Sequence, residues 1–137
     1  MRSGSDGRRG ASSGFSISAR LQSVLHASHG ISNLLQSEHN ARIHVGATLL
    51  VVLAGWVFGI DRGEWIAVVL AMTLVWMAEA FNTAIETLGD VVCPEEDSRI
   101  KKAKDVAAGS VLISAIGALA VGCLVFVPRL FSILVEN

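Results

Sequence analysis

The feature that most constrains this chain is the junction where the apolar run 65–78 meets Glu79. The run reads as most of a membrane span, and the helix it implies continues through Glu79-Ala80-Phe81-Asn82-Thr83-Ala84-Ile85-Glu86 to Asp90. At about 100° per residue, positions 79, 82, 86 and 90 share one helical face. A carboxylate within a bilayer costs about 2.5–3.5 kcal/mol even on insertion scales. A stripe of two glutamates, an asparagine and an aspartate on such a helix is therefore functional by default.

The rest of the chain supports a membrane setting. Of 137 residues, 52% are hydrophobic and 17% charged, too apolar for an ordinary soluble domain of this length. There is room for three spans, since each needs about 20 apolar residues. A net charge of −1 excludes a nucleic-acid field, and Cys93 and Cys123 have no metal-type spacing. Residues 1–14, mostly Gly, Ser and Arg, read as a disordered tail. No cleavable signal peptide is expected, because no apolar stretch follows Arg8 and Arg9. Residues 15–137 read as one membrane domain.

Within that domain, 17–38 carries Leu21, Val24, Leu25, Ile31, Leu34 and Leu35 at helical spacing among polar residues. It suits an amphipathic helix lying in the membrane interface, or one packed on the end of a bundle. Spans are expected at about 43–60, 65–90 and 104–127. Residues 61–64 form a tight polar turn, Pro94 breaks the second span, 93–101 make a polar loop, and Pro128 ends the third span. Gly109, Gly117 and Gly122 in the third span suit close helix approach. The predicted fold class is all-α, with three transmembrane helices and an N-terminal amphipathic surface helix.

Basic residues set the orientation. Arg2, Arg8, Arg9, Arg20 and Arg42 precede the first span, and Arg99, Lys101, Lys102 and Lys104 lie between the second and third. The positive-inside rule puts the N-terminus and the 91–104 loop in the cytoplasm. Glu38, Glu79, Glu86, Asp90, Lys104 and Asp105 then converge on one boundary between water and lipid. Carboxylates beside a lysine at such a boundary suit phosphoryl transfer from a nucleotide. Mg2+ accepts one or two carboxylates plus phosphates, lysine neutralises phosphate, and a further carboxylate can take a hydroxyl proton. No P-loop, G-x-G-x-x-G or kinase catalytic loop is present, so such a site is built from membrane helices.

The same residues carry a resemblance. Glu79-Ala-Phe-Asn82-Thr-Ala-Ile-Glu86, Asp90 and Lys104-Asp105-Val-Ala-Ala-Gly109 look like the prokaryotic diacylglycerol kinase family, which includes the undecaprenol kinases. Glu38-His-Asn40-Ala-Arg42-Ile43-His44 resembles that family's other signature, in its undecaprenol kinase form. The resemblance covers about residues 17–130. It implies small three-span subunits forming a homotrimer with shared active sites, in the bacterial inner membrane, with the site facing the cytoplasm. It implies a lipid kinase that moves the ATP γ-phosphate to the primary hydroxyl of undecaprenol or diacylglycerol. By motif position, Glu79 resembles the general base and Asn82 a residue orienting base or hydroxyl. Glu38 and Glu86 resemble the Mg2+ carboxylates. Lys104, Asp105 and Asp90 would contact the nucleotide, with Glu95, Glu96 and Asp97 along its sugar or base. Arg20 and His26 fall near family nucleotide contacts, His26 where tyrosine is common.

Other roles compete at single positions. Glu79 and Glu86 suit an interhelical hydrogen bond, Lys104 a snorkelling lysine, Asp105 a helix N-cap, Arg42 and His44 interfacial anchors, and Trp56, Trp65 and Trp76 packing or lipid-facing roles. The main non-kinase reading is a proton or ion pathway subunit. Against it, the carboxylates cluster toward one side and 106–127 carries no ionisable group.

Overall fold

The computed structural model describes residues 16–135, so the tail expected at 1–14 lies outside the described residues. Every regular element described is helical: α1 (Ile17–Ser37), α2 (His39–Val57), α3 (Arg62–Val92) and α4 (Ser98–Val135). Helices α2, α3 and α4 are each long and apolar enough to cross a membrane.

The ends of the helices follow from local chemistry. Ser16 caps α1 by accepting from the Ala19 N–H. Gly59, at φ 59°, turns the chain between α2 and α3. The expected polar turn at 61–64 is instead the capped first turn of α3. The Asp61 side chain accepts from the Glu64 N–H at 3.0 Å, and Glu64 accepts from the Asp61 N–H at 2.8 Å. That bond to the Glu64 N–H holds the Asp61 carboxyl below the usual carboxylate range. As expected, α3 stops just before Pro94, with Cys93 as its C-cap.

Helix α4 departs from expectation at both ends. It begins at Ser98 rather than Lys104, because the Asp97 carboxylate accepts from the Arg99 N–H at 2.7 Å and starts a helix there. Asp105 is consequently inside the helix and caps nothing. At the far end α4 runs through Pro128 to Val135. Pro128 has no N–H for the Leu124 carbonyl, while two nearby carbonyls take side-chain donors as well: Arg129 Nη1 to Val125 O at 2.8 Å and Ser132 Oγ to Pro128 O at 3.1 Å.

Helices α3 and α4 make the most extensive pairing. A small core of Ile60, Val68 and Val125, backed by Phe58, Trp65 and Phe126, lies at the end away from the carboxylates. There Arg129 forks onto both oxygens of Glu64, Trp65 meets Trp56 edge-on, and Phe58 meets Phe126. Close approach falls at glycines other than those expected. A Cβ on Gly55 would stand 2.7 Å from Trp65, whereas a Cβ on Gly109, Gly117 or Gly122 would meet nothing within 4 Å. These α4 positions are open in the single chain. Leu49, Leu50, Leu53, Leu70, Leu74, Ile113 and Ile116 are also exposed, which a water-soluble surface would not sustain.

Candidate active site

The stripe on α3 runs from the inside of the bundle to its surface. Glu79 is 1% exposed and Asn82 7%, Glu86 is half-buried, and Asp90 is exposed. Their spacing of three, four and four keeps them on one face, over about 16 Å at 1.5 Å per residue. Asn82 Nδ2 donates to Glu86 Oε1 at 2.9 Å, one turn further on. Among the described residues, Glu79 Oε2, Asn82 Oδ1 and Thr83 Oγ1 are buried without a hydrogen-bond partner. Burying such groups unpaired is costly, so three of them within five positions of one helix mark a place shaped for something other than packing.

Helix α2 completes this inner group. His44 Nε2 stands 3.9 Å from Glu79 Oε2, an ion-pair separation too long for a hydrogen bond. The His44 ring meets Trp76 edge-on at 6.1 Å, and Trp76 Nε1 donates to Thr48 Oγ1 at 3.1 Å. Trp76 is therefore an interhelical packing residue. Glu38 sits between α1 and α2 and makes no side-chain cap for α2. Its charge and that of Glu86 bear on Glu79. Arg42 points back to the α1 end, donating to Gln36 O at 2.7 Å.

The outer group gathers around the α3–α4 turn. Asp90, Glu95, Glu96, Asp97 and Lys104 line one polar pocket of ≈ 640 Å³. Lys104 Nζ donates to Asp90 Oδ1 across the turn. Asp97 is bound by the Arg99 guanidinium, which holds its carboxyl below the usual carboxylate range. Asp105 pairs with Lys101 at 2.7 Å on the same helix and is absent from the pocket lining. Arg20 and His26 lie on the exposed surface of α1 and do not line that pocket either.

The structure thus brings Glu79, Asn82 and Glu86 together, with Glu38 in electrostatic reach, and gathers a second set at the turn. One helix joins the two sets. His44 is the addition. Read from sequence it suited an interfacial anchor, and the available signal was a titratable ring six residues past Glu38, inside the same motif.

The two sets are held in register by Gly89. A Cβ there would stand 3.0 Å from both Ile100 Cγ2 and Lys104 Cε. Gly89→Val should force the start of α4 outward and break the Lys104–Asp90 pair. The expected cost is about 1–3 kcal/mol of overpacking. Hydrogen exchange across 93–104 checks this, and unchanged protection would show that the turn gives way freely.

Comparison with known proteins follows the same outline. Residues 25–126 match the sequence profile of the family described as prokaryotic diacylglycerol kinase. The chain is 32% identical to a Bacillus subtilis (strain 168) protein named undecaprenol kinase over 110 residues, covering 80% of this chain and 89% of that one. It is 33% identical to a Synechocystis protein named diacylglycerol kinase over 116 residues, 84% of this chain and 66% of that one.

Proposed function

Since the chain belongs to the prokaryotic diacylglycerol kinase family, we propose that it is a membrane lipid kinase which transfers the ATP γ-phosphate to the primary hydroxyl of undecaprenol, with Mg2+. One observation carries the reading. A buried carboxylate with an unpartnered oxygen, Glu79, lies on the same helix face as a polar pocket about 16 Å away. An extended nucleoside triphosphate covers such a length, so its base and sugar can sit at the turn while its γ-phosphate reaches Glu86.

Glu79 takes the proton of the attacking hydroxyl. Asn82, tied to Glu86 through Nδ2, offers its free Oδ1 to orient that hydroxyl. Lys104 and Asp90 form the phosphate end of the turn pocket, and Glu95 and Glu96 its nucleoside side. Asp105, with Arg20 and His26, would join the nucleotide only from outside that lining.

The donor set fits Mg2+ held jointly with phosphate. No group of three or more His, Cys, Asp or Glu able to hold an ion gathers among the described residues. Two hard carboxylates, Glu38 and Glu86, are what magnesium accepts when phosphate oxygens complete its shell. Bound there, it would neutralise charge on the β- and γ-phosphate oxygens.

The surroundings support three further parts of the reading. Ile17, Leu21, Val24 and Leu25 of α1 are exposed, as a helix lying in the membrane interface requires. The open glycines of α4 and the exposed apolar spans suit a homotrimer with sites shared between copies. Arg42, Arg99, Lys101, Lys102 and Lys104 all lie toward the Asp90 end, a distribution that supports a cytoplasmic side for that end in an inner membrane.

Undecaprenol is favoured by Arg42-Ile43-His44 and by Asp105-Val106-Ala107-Ala108-Gly109, which resemble the polyprenol-using branch. Ala108 and Gly109 leave space for a slim isoprenoid and carry no hydroxyl to bond diacylglycerol esters. Purified protein with labelled ATP should phosphorylate undecaprenol at least as well as diacylglycerol in matched micelles. A strong preference for diacylglycerol would reassign the lipid and keep the kinase. Phosphorylation of neither would sink the proposal.

A further inference from the structure

We infer that His44 is the outlet for the proton that Glu79 collects, a positioning residue that returns the base to its ionised form after each turnover. The inference rests on the reading of Glu79 as the base. At 1% exposure, Glu79 cannot hand its proton directly to bulk water, yet it must lose it before the next hydroxyl arrives.

Glu79 Oε2 is buried without a hydrogen-bond partner among the described residues. His44 Nε2 faces it at 3.9 Å, and the His44 side chain is 18% exposed against 1% for Glu79, so the imidazole is the next group out from the buried carboxylate. One water or a small rotation closes that gap. The ring is also held in place. His44 and Thr48 are one turn apart on α2, Trp76 and Glu79 nearly one turn apart on α3. Trp76 meets the imidazole edge-on and donates to Thr48, so two rungs fix its direction toward Glu79.

The other charged groups nearby are poor carriers. Glu86 Oε1 is taken by Asn82, and Arg42 is turned toward Gln36 O. Glu38 acts on Glu79 as a further negative charge. The α4 residues that line the same cavity as His44 are Ala115, Ala118, Leu119 and Gly122, none of them titratable. The imidazole, with one ring nitrogen that can accept and one that can donate, is the group left to pass the proton on.

The balance closes. The hydroxyl oxygen bonds the γ-phosphorus as the bond to the β,γ-bridging oxygen breaks, and that electron pair leaves with ADP. The hydroxyl proton goes to Glu79, then from its carboxyl group to His44 Nε2, then to solvent. Each cycle ends with Glu79 ionised and His44 neutral.

The test separates the first turnover from those that follow. His44→Gln keeps bulk and polarity but cannot carry a proton. Rapid mixing with labelled ATP and the preferred lipid should show a first turnover at the wild-type rate. Steady-state turnover should then fall by at least about tenfold. In His44→Ala, added imidazole should raise the steady state in proportion to its concentration. An unchanged steady state in His44→Gln would overturn the inference. So would a first turnover slowed as much as the later ones, since a packing role slows both. Glu79→Gln is the separate control: it should lose the first turnover too, and a normal one there would remove the base reading itself.

Discussion

Glu79→Gln will leave the protein assembled and nucleotide bound while lowering phosphoryl transfer by about 10²–10⁴-fold, the usual contribution of a positioned general base. The amide matches the carboxylate in size, so the closely packed surroundings of a side chain only 1% exposed are kept. What is lost is the ability to take a proton. The single-turnover rate and ATP affinity are the two measurements. Near-normal turnover would exclude Glu79 from the base role. Loss of both activity and nucleotide binding would mean that the residue holds the bundle together instead.

Glu86→Ala should be almost as damaging, for a different reason. It removes a hard oxygen proposed for Mg2+ and also the acceptor that holds Asn82 Nδ2. Even outer-shell partners of metal ligands cost on the order of 10–100-fold, so magnesium-dependent nucleotide affinity should fall at least that far. Glu86→Gln separates the two roles. It can still accept from Asn82 but brings no charge, and should remain as defective as the alanine variant. Glu38→Ala should weaken Mg-ATP binding in the same way. Titration of Mg-ATP into each variant decides the matter. Unchanged affinity in either position would mark that carboxylate as structural.

Much of this arrangement was legible before any coordinates. Glu79, Asn82, Glu86 and Asp90 could be placed on one face because helical periodicity carries over a long, uninterrupted apolar helix. The break at Pro94 was legible for the same local reason. Other features depended on partners far away in sequence or on single side chains. Helix α4 continues past Pro128 to a segment that Glu64 holds from another helix through Arg129. The early start at Ser98 depends on one Asp97 rotamer. His44 gains meaning only when α2 and α3 are set side by side. Gly109, Gly117 and Gly122 read as places of close helix approach, and within the single chain the contacts at glycine belong to Gly55 and Gly89, whose neighbours are bulky side chains.

The uneven distribution of packing has a mechanical consequence. At one end of the bundle α3 and α4 are riveted by the Glu64–Arg129 fork, the aromatic pairs and the Ile60–Val68–Val125 core. At the other, the turn pocket is closed by the Lys104–Asp90 pair, in which Asp90 is 72% exposed, and such exposed pairs hold weakly. The α3–α4 pair is therefore fastened twice, by the chain itself at the short turn beside the site and by the Glu64–Arg129 fork where the two helices have their free ends. The exposed Lys104–Asp90 pair can give way to a nucleotide while both fastenings hold, so the bundle stays folded through each turnover.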